Sequence, residues 1–524
     1  MDEAVVAAFS ALYTEKVSGS KSPLWIGMDI NSDNHRSLSV YKQLGIYVSV
    51  VFSIKFLVFI LDPIPKFFFG DSECYIGSAL LDWIPPDRSF TYGYLIKLTA
   101  VQTGSITSLV AIQIFTSALS SVLLTHGLRK YFSVTPAVAY AMGILCAVEP
   151  IQLLYERYVM TETISLFLFV LYILSAFHYL QNPSLRILCL VQTIGIVLIS
   201  LRVSFLPIVL LNTGLLPLLV AATLFHQHGK VWLSFKFSKN HAIAGSKTLP
   251  AAGLHLVLSV SLVIALHAGY KQLFATLSHH PAGYNAASGY FLVSLWAPAV
   301  EPADFPYPEL RTTVFGNLPY NLKDRMTRAD QLFSDGGLVS RIEAAIPGPD
   351  GNRAALTTAI NALKRDPRSI AALAIKTFLD YFDLAIIRSR IMNDLAIDQL
   401  TEYELFSEKY AKHFFLPGSG LQQPLTFTKK YYRNAVAWYW FLLLAPLLSA
   451  GALLTANRRD RNLAIELFVV TGACLVTISV LAVSPVVRYL HPVSWLVLCL
   501  LGILCQKALI RFRGFQIAEP KAAI

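Results

Sequence analysis

Long apolar segments recur along this chain with short polar connections between them, and they restrict it to one class of fold. The residues are 55% hydrophobic and 14% charged, whereas soluble proteins carry about 25% charged residues. A transmembrane helix needs about 20 predominantly apolar residues. The pattern predicts an all-α polytopic membrane protein with about ten transmembrane helices, at 43–61, 105–125, 132–149, 158–179, two within 187–225, 252–270, 434–455, 463–484 and 490–508.

The apolar run 187–225 is too long for one span. A single helix of that length would cross the hydrocarbon core about twice. The run is interrupted by Ser200-Leu-Arg-Val-Ser204. We therefore expect two spans joined by a tight turn at Arg202.

Basic residues in the short connections predict the orientation. If the N-terminus is cytoplasmic, every inner connection carries Lys or Arg, as the positive-inside rule requires. These residues are Arg129, Lys130, Arg186, Lys230, Lys236, Lys239, Lys247, Arg458, Arg459, Arg461, Lys507, Arg511 and Arg513. The opposite orientation would export them all. The net charge of +11 thus reflects topology, and we expect no binding of nucleic acid.

The predicted spans divide the chain into five parts. These are a cytoplasmic segment 1–42, a transmembrane core 43–270 with a first outer loop 62–104, an exported domain 271–432, C-terminal transmembrane helices 433–508 and a cytoplasmic tail 509–524. The exported part, of about 160 residues, is long enough for a small domain. Helical spacing of apolar residues at 354–364 and 369–397 predicts a mainly helical domain between spans seven and eight. It has no Asn-x-Ser/Thr acceptor, which favours a bacterial protein.

Acidic and basic residues from distant segments fall on the predicted outer side. They are Asp71, Glu73, Arg88, Tyr92, Tyr94 and Lys97 in the first loop, Glu149, Glu156, Arg157 and Glu162 near the next, Arg202 at the tight turn, and Arg488, Tyr489 and His491 before the last span. Charge at a membrane is costly unless it is paired or used. Arg and Lys suit a phosphate, and a carboxylate suits a general base or a metal. An amphiphile with a phosphate, such as a polyprenyl-phosphate sugar, would use both.

Simpler interpretations exist for these residues. A Glu or Arg at a helix end most often anchors the helix at the interface. Taken one by one, this explanation is the preferred one for Arg88, Lys97, Glu149 and Glu156. For Arg202 the two interpretations have equal weight. Tyr92 and Tyr94 fit an aromatic belt, and His491 could cap the last span.

Three stretches of the sequence resemble motifs of the GT-C class of integral-membrane glycosyltransferases. The first is Asp71-Ser-Glu73, with the aromatic-rich run 86–94 after it in the same loop. The second is Glu156-Arg157 with Thr161-Glu162, and the third is Arg488-Tyr-Leu-His-Pro492. The resemblance covers residues 43–270 and 434–508.

The resemblance implies a hexosyl- or pentosyltransferase that uses a polyprenyl-phosphate sugar and inverts the anomeric centre in a single displacement. It implies catalytic roles for Asp71 and Glu73, with Asp71 as base. The residues that would hold the donor phosphate are Arg157, Arg202, Arg488 and Lys97, and those that would contact substrate are Arg88, Tyr92, Tyr94, Glu162, Tyr489 and His491. No cofactor is certain, and a divalent metal at Asp71 and Glu73 stays open.

The acceptor would be a hydroxyl of a cell-surface glycan, lipid or protein at the outer face of a bacterial inner membrane. One alternative is a transporter or flippase of an amphiphilic anionic lipid-linked sugar. Transporters usually have polar groups or broken helices at mid-membrane, often in repeated halves, and the middles of these spans are nearly free of charge. A further alternative is a lipid-binding or assembly factor, which would not need Asp71.

Overall fold

The structure is a computed structural model that describes residues 30–68, 70–234, 248–315, 319–395, 408–414 and 425–518. Within these ranges the regular structure is helical, and the only β pairing is an isolated parallel bridge between Lys66 and Tyr158. The chain forms two compact units, 1–50 and 51–524, and the packing below is that of the second. Parts of the predicted inner segments, at 1–29, 235–247 and 519–524, lie outside the described residues.

Seven described helices are long and apolar enough to cross a membrane, which confirms a helical multi-pass membrane protein. They are Lys42–Leu61, Ile106–Phe132, Glu162–Gln181, Val203–Thr223, Gly253–Ser278, Arg461–Val480 and Val487–Phe512. An eighth span forms if Val436–Leu442 and Ala445–Leu454 count as one, since they are separated by a short break and bent by 44°.

The two other predicted spans are shorter helices, so the number ten stays a prediction. The predicted span 132–149 is the 12-residue helix Pro136–Ala147. Proline lacks an N–H and is favoured at the first turn of a helix, so Pro136 starts this helix late, and Pro150 starts the next one shortly after its end. The helix Leu185–Leu201 has 17 residues. It ends where the sequence predicts a break: Arg202 is extended, a 3₁₀ turn covers Val203–Phe205, and the helix Leu206–Ser234 follows.

Helix ends that the charge pattern assigns to the same side lie together. At the predicted outer side, the Lys66 N–H donates to the Arg157 carbonyl over 2.8 Å, and Ser89 Oγ donates to the Ser200 carbonyl over 2.7 Å. At the predicted inner side, the Thr135 N–H donates to Gln506 Oε1 over 3.0 Å. The segregation of helix ends therefore agrees with the predicted alternation of spans.

A buried ion-pair network fastens the first span to the junction after Pro136–Ala147. Lys55 Nζ lies 2.8 Å from Glu156 Oε2, and Glu156 Oε1 lies 2.5 Å from Arg157 Nη1, with all three side chains at most 1% exposed. Arg157 also donates to the carbonyls of Asp62 and Leu153 over 2.8 and 2.7 Å. The sequence predicted no role for Lys55, which lies within a span. Its charge is explained by its ion pair with Glu156, a residue distant in sequence.

The segment 271–432 is mainly helical where it is described, as predicted. Its helices include Ser288–Leu295, Pro308–Phe315, Arg328–Phe333, Leu338–Ala345, Pro349–Arg365, Pro367–Leu379 and Leu384–Asp394. The helices from Ser288–Leu295 to Pro367–Leu379 share a core that contains Val293, Trp296, Phe305, Leu338 and Ile342, whereas Ile387 and Ile391 of Leu384–Asp394 belong to the core of the membrane region. The predicted helix 369–397 is two helices with a 3₁₀ turn, Asp380–Phe382, between them.

The helix His491–Ala518 packs tightly through Gly502. A Cβ atom added there would lie 2.8 Å from Leu128 Cδ1 and 3.2 Å from Met142 Cγ, so two other helices approach the backbone at this point. Gly472, in the helix Arg461–Val480, has no such neighbour within 4 Å. Both glycines are helical, and they differ in the space around them.

We expect Gly502→Ala to destabilise the protein by about 1–3 kcal/mol through overpacking. Gly472→Ala should be neutral or stabilise by up to about 1 kcal/mol, because alanine favours a helix over glycine. Thermal unfolding of the purified variants in the same detergent measures both. Equal effects of the two substitutions would contradict close packing at Gly502.

Candidate functional site

Asp71 is the first residue of a helix that lies outside the candidate spans. Gly70 precedes it with φ of 82°, a backbone conformation that favours glycine. The helix Asp71–Leu81 then begins, so its positive N-terminal end faces the Asp71 carboxylate. The side chain is 13% exposed, which leaves it in limited contact with solvent.

Two arginines hold the Asp71 carboxylate from opposite sides. Arg88 places Nε and Nη2 2.7 Å from Oδ1, and Arg488 Nη1 donates to Oδ2 over 3.0 Å. Burial alone would raise the pKa of Asp71, but the two guanidinium groups outweigh burial and hold this pKa below its usual value. Asp71 is therefore an ionised carboxylate at neutral pH.

Arg488 and Arg202 continue this cluster around a shared ring. The guanidinium carbons of Arg488 and Arg202 lie 5.4 and 5.3 Å from the centre of the Tyr489 ring. Arg202 Nη1 lies 3.0 Å from Glu162 Oε1, and Arg488 Nε lies 4.0 Å from the same oxygen. We call Asp71, Arg88, Glu162, Arg202 and Arg488, with Tyr489, the arginine cluster.

Several buried polar atoms at and beside the arginine cluster have no hydrogen-bond partner among the described residues. They are Glu162 Oε2, Arg488 Nε, the Tyr155 hydroxyl and both ring nitrogens of His491. The Tyr155 and His491 rings lie 6.4 Å apart. Buried polar groups are nearly always satisfied in proteins, so these atoms leave unmet hydrogen-bonding capacity beside the arginine cluster.

Tyr155 and Asp394 are site residues that sequence reasoning missed. Asp394 accepts a hydrogen bond from the Tyr432 hydroxyl over 2.8 Å, and burial raises its pKa to about 6 despite nearby Arg488. Tyr155 belongs to a six-residue helix after Pro150. Neither is marked by a motif, although Tyr155 directly precedes Glu156-Arg157.

An apolar groove begins at Arg202. It has a cavity volume of about 90 Å³ and lies between the membrane-spanning helices Val203–Thr223 and Arg461–Val480. Its lining includes Arg202, Phe205, Ile208, Ile478, Leu481 and Tyr489. The groove thus combines a cationic end with hydrocarbon walls.

Two of the predicted phosphate ligands lie apart from the arginine cluster. Arg157 is fully buried and engaged by Glu156 and two backbone carbonyls. Lys97 starts a π-helical turn and pairs with exposed Asp82. These contacts are those of structural residues, and their predicted phosphate role rests on the resemblance alone.

The remaining predicted residues of the first loop face different surroundings. Glu73 pairs with Lys409 over 2.7 Å at an exposed position. The Tyr92 hydroxyl is buried and donates to Gln113 Oε1 over 2.6 Å. Tyr94 is 44% exposed and meets the Phe90 ring edge-on. The structure therefore separates Asp71 from Glu73, and it gives Tyr92 a packing role.

The two carboxylates that the sequence offers to a metal are engaged by cations. Both oxygens of Asp71 accept from arginine, and Glu73 Oε1 faces Lys409. Among the described residues, no group of three or more His, Cys, Asp or Glu side chains is arranged to hold a metal ion. A metal at Asp71 would have to displace an arginine.

No family model, curated protein or solved structure matches this chain.

We expect Asp71→Asn to destabilise the protein at pH 7 by about 1–3 kcal/mol, because it removes the carboxylate that Arg488 contacts at 3.0 Å and leaves Arg88 paired with Asp87 alone. Since folding lowers the pKa of Asp71 below 3.8, the ion pairs stabilise the folded state fully above that value. Their contribution disappears as pH falls through the folded pKa.

The measurement is the unfolding midpoint of wild type and Asp71→Asn across pH 3–7. The two midpoints should converge towards the acid end. Asp82→Asn is the control, because its ion pair with Lys97 is exposed and worth little. A difference between wild type and Asp71→Asn that is constant with pH would rule out the double ion pair.

Proposed function

We propose that the protein is a glycosyltransferase that moves a sugar from a polyprenyl-phosphate donor to a hydroxyl of a cell-surface glycan, lipid or protein. One observation carries this proposal: the Asp71 carboxylate is held by two arginines next to an apolar groove that starts at Arg202. A long hydrocarbon chain with a phosphate at its end fits such a combination. The resemblance of Asp71-Ser-Glu73 and Arg488–Pro492 to GT-C motifs supports the same substrate class.

The arginine cluster and the groove support a defined placement of the donor. The polyprenyl chain would lie along Phe205, Ile208 and Ile478, where apolar contact stabilises it by about 25 cal/mol per Å². The phosphate would bind Arg202 and Arg488, since guanidinium groups bind phosphate through charge-assisted hydrogen bonds. The sugar would then face the unpartnered polar atoms of Tyr155 and His491.

The proposed reaction is a single displacement. The acceptor oxygen forms a bond to the anomeric carbon, and the bond from that carbon to the phosphate-ester oxygen breaks with its electron pair. Asp71 takes the proton of the acceptor hydroxyl, and Arg488 with Arg202 stabilises the polyprenyl phosphate that leaves. Attack from the face opposite the leaving group inverts the anomeric centre.

Donor binding would also activate the base. In the free protein both Asp71 oxygens are engaged by arginine and its pKa is low, so the carboxylate is a weak base. A donor phosphate that draws Arg488 away frees Oδ2 and removes part of the positive field. The pKa of Asp71 then rises, because fewer cations favour its charged form, and the base gains strength only when donor is present.

A transporter or flippase of an amphiphilic anionic lipid-linked sugar is the alternative. Two observations favour it: the broken pair Val436–Leu442 and Ala445–Leu454, and a buried carboxyl group, Glu466, inside a span. Broken helices and polar groups at mid-membrane are typical of transporters. The two functions differ in product, because a transporter returns the lipid-linked sugar intact, whereas a transferase releases free polyprenyl phosphate.

The direct test uses the purified full chain in lipid nanodiscs with a panel of polyprenyl-phosphate sugars and an acceptor extract from the bacterial envelope. Release of polyprenyl phosphate that depends on the acceptor supports the transferase. Parallel reactions with and without EDTA report whether a divalent metal takes part. Movement of intact donor across the bilayer without release would favour the transporter.

We expect Asp71→Asn to lower the transfer rate by about 10²–10⁴-fold, the usual contribution of a general base, with donor binding largely kept. Glu73→Gln is the matched control, since Glu73 lies two residues further along the same helix and pairs with exposed Lys409. It should keep most of the activity. Full activity of Asp71→Asn would remove Asp71 from the mechanism.

We expect Arg202→Gln to weaken donor binding about 10- to 100-fold, because a charged hydrogen bond contributes about 1.5–3 kcal/mol. Arg129→Gln is the control: Arg129 also lies over a tyrosine ring, that of Tyr140, at the predicted inner side. Binding is measured with a fluorescent polyprenyl phosphate in nanodiscs. Equal losses in both variants would show that Arg202 contributes only general positive charge.

A further inference from the structure

A buried carboxyl group lies among the membrane-spanning helices, away from the arginine cluster. Glu466 belongs to the helix Arg461–Val480 and is fully buried. Asn212 Nδ2 donates to Glu466 Oε1 over 2.6 Å. Asn212 lies near the middle of the span Val203–Thr223, and Tyr172, which packs beside both residues, lies near the middle of Glu162–Gln181. Glu466 itself is the sixth residue of its 20-residue helix, so it is buried within the membrane-spanning region, nearer the predicted inner end of that helix.

The polar atoms around Glu466 are incompletely paired. Glu466 Oε2, Asn212 Oδ1 and the Tyr172 hydroxyl are all buried and have no hydrogen-bond partner among the described residues. If Glu466 is a carboxylate, the donors that remain are the Tyr172 O–H and the second N–H of Asn212. If Glu466 carries a proton on Oε2, the acid O–H is a further donor, and the unpaired oxygens can accept from it.

The helices around Glu466 bring no charge to balance it. The helix Glu162–Gln181 contributes Tyr172, and the helix Leu206–Ser234 contributes Asn212, which is uncharged. The described side chains of Ala445–Leu454, Pro367–Leu379 and His491–Ala518, which also pack against this helix, form no ion pair with Glu466. The titratable groups among the described side chains of these three helices are Arg368, Lys376, His491, Cys499, Cys505, Lys507 and Arg511; Lys507 is directed at Thr455. An unpaired carboxylate at this depth would cost several kcal/mol or more.

We propose that Glu466 is an intramembrane proton-binding site, in which one exchangeable proton completes the hydrogen bonding between Glu466, Asn212 and Tyr172. This function is separate from the arginine cluster and is not used in the glycosyl-transfer proposal. Its ligand is a proton, because three oxygens are too few for the six to eight ligands that Ca²⁺ prefers.

The proton site also controls the apolar groove. Asn212 and Glu466 join the two helices that form the groove walls, and Cys474 lies in those walls two turns along the helix from Glu466. With the proton bound, the Glu466–Asn212 contact holds the helices together. Loss of the proton leaves a buried negative charge, and the helices separate to admit water to it. The groove therefore opens when Glu466 is deprotonated.

Infrared spectroscopy of the full chain tests the bound proton. A protonated carboxyl group has a C=O band distinct from that of a carboxylate and sensitive to exchange into deuterated water. At neutral pH wild type should have one such band that Glu466→Gln lacks, and the band should disappear on titration to alkaline pH. Identical spectra of the two proteins, or a band that persists over the whole titration, would overturn the exchangeable site.

Cysteine labelling tests the coupling to the groove. The first protein is the full chain in which every cysteine except Cys474 is replaced. The second protein carries Glu466→Gln in addition, because glutamine is isosteric with glutamate and cannot ionise. At neutral pH a small maleimide should label Cys474 at the same rate in both proteins. At the alkaline pH at which the infrared band has disappeared, labelling should be about tenfold faster in the protein that has Glu466 than in the protein with Glu466→Gln. Because both proteins carry the same thiol, the ratio of their two labelling rates removes the effect of pH on the reagent.

A chain that keeps only Cys189 is the second control, because this exposed cysteine lies on the helix Leu185–Leu201, away from the groove. Its labelling should not depend on Glu466 at any pH. A Cys474 ratio that stays near one throughout, or an equal change at Cys189, would overturn the coupling.

Discussion

The link between Asp71 and Arg488 is the interaction on which the outer side of the membrane region depends. It joins residues 417 positions apart and brings the first loop to the start of the last span. Arg488 then reaches Tyr489 and Glu162, and through them Arg202. Without this carboxylate, the three arginines would keep only Asp87 and Glu162 as ion-pair partners. With Asp71, three arginines face three carboxylates, and the charge of the cluster is balanced before any ligand binds.

Sequence reasoning succeeded for features that have few possible explanations, such as a long apolar segment or a charged residue at a membrane surface. The apolar segments predicted helices that the structure contains, and the break at Arg202 lies where the interruption of 187–225 indicated. It brought Asp71, Arg202 and Arg488 forward because charge is costly at a membrane. Sequence reasoning could not distinguish Arg157 from these residues. The partners of Arg157 are Glu156 and the Asp62 carbonyl, and these contacts are visible only in the three-dimensional structure. Tyr155, Asp394 and Glu466 need three-dimensional neighbours to be noticed.

The two polar centres of the membrane region balance the negative charge of their carboxyl groups in different ways. At the arginine cluster each carboxylate faces guanidinium groups, and charge is balanced by charge. At Glu466 the neighbours are an amide and a phenol, so balance requires a proton. The apolar groove adjoins the arginine cluster at Arg202, and Cys474 in its lining lies two helical turns from Glu466.

The short helix Pro136–Ala147 has a consequence for the lipid around the protein. Twelve residues rise about 18 Å, against about 30 Å of hydrocarbon in a typical bilayer. Just after the helix, Glu149 is buried by protein and accepts a hydrogen bond from Trp438 over 2.8 Å. A span shorter than the hydrocarbon layer is accommodated by local thinning of the bilayer, at a cost of fractions of a kcal/mol per Å. If Pro136–Ala147 crosses the membrane as the sequence predicts, the stability of this protein depends on the thickness of the bilayer around it.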